Sequence, residues 1–303
     1  MSLFGDNDAS FRRTRMLVQS SAPVSSHLPI RQSVLNERKM KSTLDPSYSL
    51  IEQAWNMGAG FDDCKDELIK PALPESSSLP LMPRPFQYLD PFTKAPVWLH
   101  GVTWIPFTWY IWFRVMTQRT LGSYCVLLFG VFVVWPLLEY LLHRFVFHMP
   151  VAWAHGNGGV NVLRLLLHTV HHAHPRDRMR LITPLPMSLV IGTVVVPFIF
   201  LLINRNDAWA LCCGIIHGFV LYDMVHYYLH FGTPSELPEW SQPVKKWVRA
   251  LHKAHANHHY AEKGVRESFG VSHMIWDEVF GTKATPDAIG EWQNNNDDRK
   301  KEK

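Results

Sequence analysis

The sequence predicts an all-α integral membrane protein in which four transmembrane helices carry a histidine-rich helical cap on their cytosolic side. Two observations lead to this fold class. Long apolar runs are concentrated between residues 101 and 231, whereas both flanks are polar, and each run approaches the roughly 20 residues that span a bilayer. The chain also contains 17 histidines, most of them clustered where an apolar run ends or in the polar sequence beyond it.

The overall composition excludes several classes of protein. The 30 Lys and Arg against 26 Asp and Glu leave a net charge of only +4, so we expect no nucleic-acid partner. Hydrophobic residues make up 47% of the chain and charged residues 18%, which a disordered protein would not show. The four cysteines form no C-x-x-C pair, and three of them lie in apolar runs, so no disulfide framework is expected; they are Cys64, Cys125, Cys212 and Cys213.

Each apolar run is interpreted as one span. The first run is rich in tryptophan and contains Arg114, so an alternative position in the membrane interface stays open for it. Aromatic side chains in the spans could line a long apolar slot, with Phe107, Trp109, Trp112, Phe129 and Trp135 as candidates. The predicted spans are Gly101–Met116, Leu121–Leu142, Met187–Ile203 and Ala208–Tyr228.

The connections between the spans define the topology. The first two spans are joined by Thr117–Thr120 and the last two by Asn204–Asp207, so each pair forms a hairpin that turns on the same, far side. The segment 143–186 and both termini then share the near side. Positive charge places that near side in the cytosol, because residues 144–183 hold Arg144, Arg164, Arg176, Arg178 and Arg180, whereas the far turns hold Arg119 and Arg205.

The flanking segments are predicted to be cytosolic. The Ser- and Arg-rich start could also be a transit peptide, but Asp6 and Asp8 argue against that alternative. A short amphipathic helix is expected at Ser49–Met57, followed by extended chain, because closely spaced prolines interrupt helices. The predicted organisation is a mobile tail at 1–45, a Pro-rich strap at 46–99, the transmembrane domain at 100–282 and a polar tail at 283–303.

The histidines fall into four clusters with regular spacing. On a helix, spacings of three and four place side chains on one face, so each of the last three clusters is expected to present facing imidazoles. Imidazole binds iron, zinc, copper and nickel, and ten rings exceed the needs of one tetrahedral zinc. We therefore predict two metals with about five nitrogen ligands each. The clusters are His143 and His148; His168, His171 and His172; His226 and His230; His255, His258 and His259.

The first cluster departs from helical spacing. Five residues separate its two histidines, which would turn the rings by about 140° from each other on an unbroken α-helix. Either the helix end loosens at this point, or the two rings serve different metals.

Two acids are candidates for orienting the imidazoles, since metal-bound histidines usually donate their second N–H to a carboxylate or carbonyl. Glu139 precedes His143 by one helical turn, and Asp223 precedes His226 in the same way. A helix-packing role is the alternative for each. Among the remaining histidines, His217 is expected to pack in the bundle, His174 and His252 could be additional ligands or supporting groups, and His27, His100, His155 and His273 are expected to be ordinary surface or interface residues.

The motifs HxxxxH, HxxHH, HxxxH and HxxHH, in this order around apolar spans, resemble the membrane fatty acid hydroxylase and sterol desaturase superfamily. Within it the chain is most similar to fatty acid 2-hydroxylases, on the stretches EYLLHRFVFHMP (139–150), LVIG (189–192), VLYDMVHYYLHFG (220–232) and SFGVSHMIWDEVFGT (268–282). The resemblance implies a cytosolic-face centre of two iron ions, replaceable by zinc in crystals. It assigns as ligands His143, His148, His168, His171, His172, His226, His230, His255, His258 and His259.

The resemblance also implies an activity and partners. The expected reaction is hydroxylation by O2 at C2 of fatty acyl chains, free or in ceramide, within a lipid membrane. Many relatives carry a cytochrome b5 domain with a His-Pro-Gly-Gly motif, which residues 1–99 do not contain. Electrons from NAD(P)H are therefore expected through a separate cytochrome b5 and its reductase. Basic residues near the clusters could steer this acidic donor or could face lipid head groups; they are Arg144, Arg164, Lys245, Lys246, Arg249 and Lys253.

Two alternatives remain at this point. One is another reaction of the superfamily, by a sterol methyl oxidase or desaturase. The other is a divalent-metal transporter, although a transporter should place its ligands near the middle of the membrane, where this chain has only His217. The final residues, Lys300, Lys301, Glu302 and Lys303, resemble a dilysine retrieval signal, so the expected location is the endoplasmic reticulum membrane with cytosolic N- and C-termini.

Overall fold

The computed structural model describes residues 49–57, 81–83, 85–149, 156–232, 237–238, 241–260 and 266–284. Within these ranges the chain forms helices and turns and no strand, which confirms the all-α class. The predicted tail 1–45 and nearly all of the tail 283–303 lie outside them. The helices are α1 Leu50–Met57, a 3₁₀ helix Phe86–Thr93, α2 Trp98–Tyr110, α3 Leu121–Phe147, α4 Gly158–Arg164, α5 Leu185–Leu202, α6 Arg205–Phe231, α7 Gln242–Tyr260 and α8 Ile275–Val279.

Three of the described helices are long and apolar enough to cross a membrane: α3, α5 and α6. They correspond to three predicted spans; α3 and α6 extend a few residues beyond the predicted ends, whereas α5 begins two residues earlier and ends one residue earlier than predicted. The remaining predicted span forms α2 and the π-helical turn Ile111–Val115. This helix is not among the three, because His100, Arg114 and several threonines and aromatics lower its hydropathy. The fourth span therefore stays a prediction.

Helix α6 lies at the centre of the bundle and packs against α2, α3 and α5. Glycine permits its closest contact. A Cβ added to Gly214 would lie 2.2 Å from the carbonyl oxygen of Leu127 and 3.0 Å from the Cα of Gly130. The backbones of α3 and α6 therefore touch at a distance that any side chain would prevent.

Wide helical turns interrupt the regular helices. Helix α3 contains π-helical turns at Gly130–Val134 and His143–Phe147. Helix α4 continues through a third π-helical turn, Leu165–Thr169, into the short segment Val170–Ala173. Such turns add one residue per turn and shift the register of every side chain that follows, and two of them lie within histidine clusters.

The predicted strap is more ordered than expected where it is described. Helix α1 confirms the predicted amphipathic helix, and Ser49 and Glu52 cap its start by exchanging hydrogen bonds. The segment around Pro91 was expected to be extended, but it forms the 3₁₀ helix. Within this helix the Asp90 carbonyl accepts the Thr93 hydroxyl at 2.7 Å. Helix α1 packs on α4, so the strap contacts the segment that carries a histidine cluster.

We predict that Gly214→Ala destabilises the protein by about 1–3 kcal/mol, the usual cost of overpacking, because the added methyl group meets backbone rather than a movable side chain. The matched variant is Gly192→Ala in α5, where a Cβ meets nothing within 4 Å. Thermal unfolding in detergent should show a lower midpoint for the first variant and no loss for the second. Equal midpoints would contradict the close backbone contact.

Candidate metal centre

The ten clustered histidines converge from the ends of four helical segments into two sets. In each set, one ligand atom from every ring lies within 4.8 Å of the others. We call the first set site 1 and the second set site 2. Site 1 comprises His143, His148, His168, His172 and His258, and site 2 comprises His171, His226, His230, His255 and His259.

The π-helical turn at the end of α3 resolves the irregular spacing of the first cluster. The backbone N–H of His148 donates to the carbonyl of His143 at 2.9 Å, which is the i to i+5 bond of a π-turn. The two ring centroids lie 5.0 Å apart, and both rings belong to site 1. The helix therefore loosens at this point, the first of the two alternatives, and the structure places both rings in one group.

Each H-x-x-H-H cluster divides between the two sites. His168 and His172, four residues apart, belong to site 1, whereas His171 between them belongs to site 2. The cluster in α7 divides in the opposite sense, since His258 joins site 1 while His255 and His259 join site 2. Neighbouring residues on a helix differ by about 100°, so one cluster can contribute to two sites that lie side by side.

The spacing of the ring nitrogens fits a metal with more than four ligands. In site 1, the Nε2 of His168 lies 2.9 Å from the Nε2 of both His143 and His172. In site 2, the Nε2 of His171 lies 3.1 Å from those of His226 and His259. Nitrogens bound to one metal at about 2.0–2.1 Å lie about 2.9–3.0 Å apart across a right angle and about 3.4 Å apart across a tetrahedral angle. The shorter spacing is the one observed.

In three of the rings, a backbone carbonyl outside the sites determines which ring nitrogen carries the proton. The Nδ1–H of His143 donates to the carbonyl of Phe269 at 2.5 Å, that of His258 to Glu267 at 2.8 Å, and that of His226 to Leu181 at 3.2 Å. In a neutral ring this leaves a bare lone pair on Nε2.

Protons alone cannot satisfy this arrangement. His168 Nε2 faces the bare nitrogen of His143 and also the nitrogen of His172. A proton on His172 leaves the lone pairs of His168 and His143 facing each other, and a proton on His168 can be donated well along only one of its two contacts. The same holds for His171 between His226 and His259. A cation at each site removes this repulsion, so the residues present fit two metal ions.

The electrostatics of the buried rings also favour metal binding. Burial, and next the neighbouring imidazoles, holds the pKa of His168, His171, His172, His255 and His259 well below the ordinary histidine value. These rings are neutral near pH 7, which is the form that binds a metal.

The other described histidines lie outside both sites. His217 forms a 2.7 Å hydrogen bond with the Cys213 carbonyl one helical turn earlier, as expected for a packing role. His174 and His252 join neither set, so they are not additional ligands of these groups. His273 accepts the Ile275 N–H at the surface, whereas His27 and His155 lie outside the described residues.

His100 is not a surface residue, contrary to expectation. Its side chain is fully buried, and its Nδ1 hydrogen-bonds to the carboxylate of Asp223. Among the described hydrogen bonds none joins Asp223 to a clustered imidazole, so its partner differs from the one expected from its position before His226. Its effect on metal retention stays a prediction. The one sequence signal for His100 was a histidine at the start of an apolar run.

Glu139 supports site 1 through backbone rather than directly. Its carboxylate accepts the N–H groups of Val271 and Ser272 at 2.5 and 2.8 Å, and also the Ser272 hydroxyl. These residues belong to the loop whose Phe269 carbonyl orients His143. Glu139 therefore acts on the histidine indirectly. Its carboxylate holds this loop in place, and a carbonyl of the loop orients the ring.

An apolar cavity of about 430 Å³ begins beside the two sites and runs between α2, α3, α5 and α6. At the metal end lie Phe147, which stacks on His168, and Tyr222, which stacks on His226. Of the aromatic residues predicted to line a slot, Phe107 and Trp135 line this cavity. Trp109 and Phe129 are exposed, and Trp112 packs against Tyr124 instead.

Comparison with known proteins identifies similar sequences and one similar structure. The family model described as fatty acid hydroxylase matches residues 128–282. A ceramide very long chain fatty acid hydroxylase of Saccharomyces cerevisiae is 32% identical over 267 residues, and a dihydroceramide fatty acyl 2-hydroxylase of Arabidopsis thaliana is 31% identical over 257 residues. A solved structure of full-length scs7p, in which only the hydroxylase domain is visible, matches with a TM-score of 0.69 at 31% identity.

The matches differ in how much of each protein they cover. The yeast match covers 88% of this chain and 65% of the relative, whereas the Arabidopsis match covers 81% of this chain and 95% of the relative. The structural match covers 84% of this chain and 90% of the solved chain. The chain thus spans slightly less than two thirds of the yeast relative. None of these findings supports the metal-transporter alternative.

We predict that the purified protein holds two metal ions per chain. His168→Ala, in site 1, and His230→Ala, in site 2, should each leave about one ion, because each removes one of five converging nitrogens. His217→Ala should retain both ions, since that ring bonds within its own helix. Elemental analysis by mass spectrometry measures this ratio, and wild-type protein with one ion or none would rule the prediction out.

Proposed function

The chain belongs to the fatty acid hydroxylase family of enzymes, and from that membership we propose that it hydroxylates fatty acyl chains at C2, free or within ceramide, to make 2-hydroxy sphingolipids. The observation that carries the proposal is the apolar cavity that opens beside two buried histidine sites. The curated relatives act on ceramide or fatty acyl substrates by their names, which favours this reaction over sterol oxidation or desaturation.

The histidines of sites 1 and 2 would hold two iron ions, one in each. When bound, the iron pair supplies the activation of O2 that an unactivated C–H bond requires. Eight of the ten rings are buried and only His148 and His230 are half-buried, so the protein keeps the two groups away from bulk water. This dryness protects reactive species from side reactions.

The cavity orients the substrate by its polarity. Its deep wall is made of apolar side chains from α5 and α6, such as Val196, Ile199 and Ile215, whereas Thr183 lies near the histidines. An acyl tail gains free energy by entering the apolar end. The polar carboxyl or amide group then stays at the metal end, which places C2, its neighbour, beside the metals.

We predict that Gly192→Phe lowers turnover of long acyl chains by about tenfold or more, because misplacement of a substrate by an ångström carries a cost of that order. Gly192 lines the cavity, and a side chain there meets open space, so the ring can obstruct the cavity without a clash. The measurement is mass spectrometry of 2-hydroxylated sphingolipids in cells that lack their own enzyme.

The matched control for this experiment is Leu201→Phe, at a position on the same helix that is 83% exposed and lies outside the cavity. It should retain wild-type product. Wild-type protein that restores no 2-hydroxylated lipid would reject the proposed reaction, and equal activity of both variants would reject the cavity as the acyl site.

The electron source is proposed to be a separate cytochrome b5 with its NAD(P)H-dependent reductase, docking on the cytosolic face. Helix α7, which carries three ligand histidines, exposes Lys246, Arg249 and Lys253 on one face. The structure corrects the wider basic set, because Lys245 is buried and Arg144 packs over the Tyr140 ring. The exposed basic stripe of Lys246, Arg249 and Lys253 would steer an acidic donor.

We predict that Lys246→Glu with Arg249→Glu reduces the rate of electron transfer from added cytochrome b5 several-fold at low salt, since association steered by charge is screened at high ionic strength. Lys283→Glu, at a lysine that follows α8 in the sequence, is the control. Stopped-flow kinetics with limiting donor provides the measurement. If neither salt nor the double charge reversal changes the rate, the stripe faces lipid head groups instead.

The proposed location is the endoplasmic reticulum membrane with both termini in the cytosol. It is supported by the arginines that gather on the histidine side of the bundle.

A further inference from the structure

The two metal sites are oriented by carbonyl groups that belong to two separate parts of the chain. In site 1, the Nδ1–H groups of His143 and His258 donate to the carbonyls of Phe269 and Glu267, respectively. In site 2, the Nδ1–H group of His226 donates to the carbonyl of Leu181. These carbonyls must themselves be held in place, because a backbone oxygen can orient an imidazole only if its own segment is fixed.

The site 1 carbonyls lie in the segment 266–284, which we call the clasp. Buried Asp277 fixes it by accepting the N–H groups of Phe269 and Gly270 at 2.8 and 2.7 Å. The Thr282 hydroxyl donates to the same carboxylate at 2.8 Å. A Cβ on Gly270 would meet the His273 carbonyl at 2.0 Å, so the loop closes tightly around this carboxylate.

Glu139 closes the clasp from the other side. It reaches from α3 to the N–H groups of Val271 and Ser272. Four consecutive N–H groups, from residues 269 to 272, are thus held by two buried carboxylates. The carbonyl of Phe269 lies at the start of this run and points to His143 at 2.5 Å.

The site 2 carbonyl is held by the strap instead. Buried Asp90 in the 3₁₀ helix accepts the Leu81 N–H at 2.7 Å and pairs with Lys94 at 2.6 Å. Arg180, next to Leu181 in sequence, donates to the Thr93 hydroxyl at 2.9 Å and lies 3.7 Å from Asp90.

A backbone hydrogen bond completes this junction. The Ala95 N–H donates to the Met179 carbonyl at 2.8 Å. Residues 179 and 180 are therefore fixed to the strap immediately before Leu181, whose carbonyl receives the His226 N–H. All these groups lie before residue 128 or in the 174–182 connection, so part of this support precedes the segment that the family model matches.

We infer that Asp277 and Glu139 position site 1, that Asp90 and Arg180 position site 2, and that each metal can therefore be weakened without the other. This inference rests on the proposed binding of two metals. The four side chains are positioning residues, because they act on the histidines only through backbone carbonyls. Removing a group that orients a metal-bound imidazole typically lowers metal affinity by about 10–100-fold. Each substitution should therefore weaken the metal whose ligand is oriented by the displaced carbonyl.

The test uses the full chain, loaded with zinc in detergent and titrated with a chelator. Asp277→Asn should release one of the two zinc ions at a 10–100-fold lower chelator concentration, and Asp90→Asn should do the same for the other ion. Single-site chains identify which ion is lost. With site 2 removed by His230→Ala, only Asp277→Asn should weaken the remaining zinc; with site 1 removed by His168→Ala, only Asp90→Asn should do so.

Matched controls separate positioning from general damage. Glu278→Gln changes the exposed acid beside Asp277, and Gln87→Ala changes an exposed residue in the same 3₁₀ helix as Asp90; both should retain two tightly held ions. If either aspartate variant fails to fold, Thr282→Val and Thr93→Val decide the question. Each removes one hydroxyl that joins the same network through two hydrogen bonds and should weaken its own site about fivefold or more, the scale of a single net hydrogen bond.

The outcomes are distinguishable. Wild-type chain that binds fewer than two zinc ions overturns the proposed function itself. Wild-type chain that binds two, with variants that weaken both sites equally or neither, leaves the proposed function standing and overturns the separate support of the two sites.

Discussion

Ten imidazole rings are packed so that their nitrogens approach to 2.9–3.1 Å in two adjacent groups, and the rest of the structure is arranged around this contact. Neutral rings at this distance place lone pairs against one another, and protonated rings would repel more strongly in a buried environment. Cations bound in the two groups would relieve this repulsion. Every element that carries one of these histidines must therefore hold its ring in place against it.

The helical bundle meets this requirement with rigid, dry packing. Helix α6 approaches α3 at glycine contacts that exclude side chains, and both helices end in histidines. The π-turns in α3 and α4 adjust the direction of the rings without breaking the helices. The same packing leaves an apolar cavity beside the sites. One end of the cavity is apolar while the other lies beside the histidines, so one architecture would serve both of the proposed roles, metal retention and orientation of an acyl chain.

The outer support of the sites comes from parts of the chain that contain no ligands. The clasp after α7 and the strap before α2 each bring a buried carboxylate to backbone N–H groups. The clasp itself presents carbonyls to ligand imidazoles, whereas the strap holds the connection whose Leu181 carbonyl receives His226. Buried carboxylates are costly unless they are fully hydrogen-bonded. Their presence on both sides of the centre shows that orientation of the rings is built into the fold at several levels.

The sequence by itself determined the helical class, three of the spanning helices and all ten members of the two histidine groups, because hydropathy and helical spacing are local properties that a single segment carries. It left open whether the helix loosens between His143 and His148 or the two rings serve different metals. Only the tertiary structure decided that His171 leaves His168 and His172 to join the other site, that His100 is the partner of Asp223, and that the segment around Pro91 is helical. The physical reason is the same in each case. Spacing fixes the direction of a side chain on its own helix, but the neighbour that it meets depends on how helices distant in sequence pack, and the backbone carbonyls that orient the rings have no signature in the sequence.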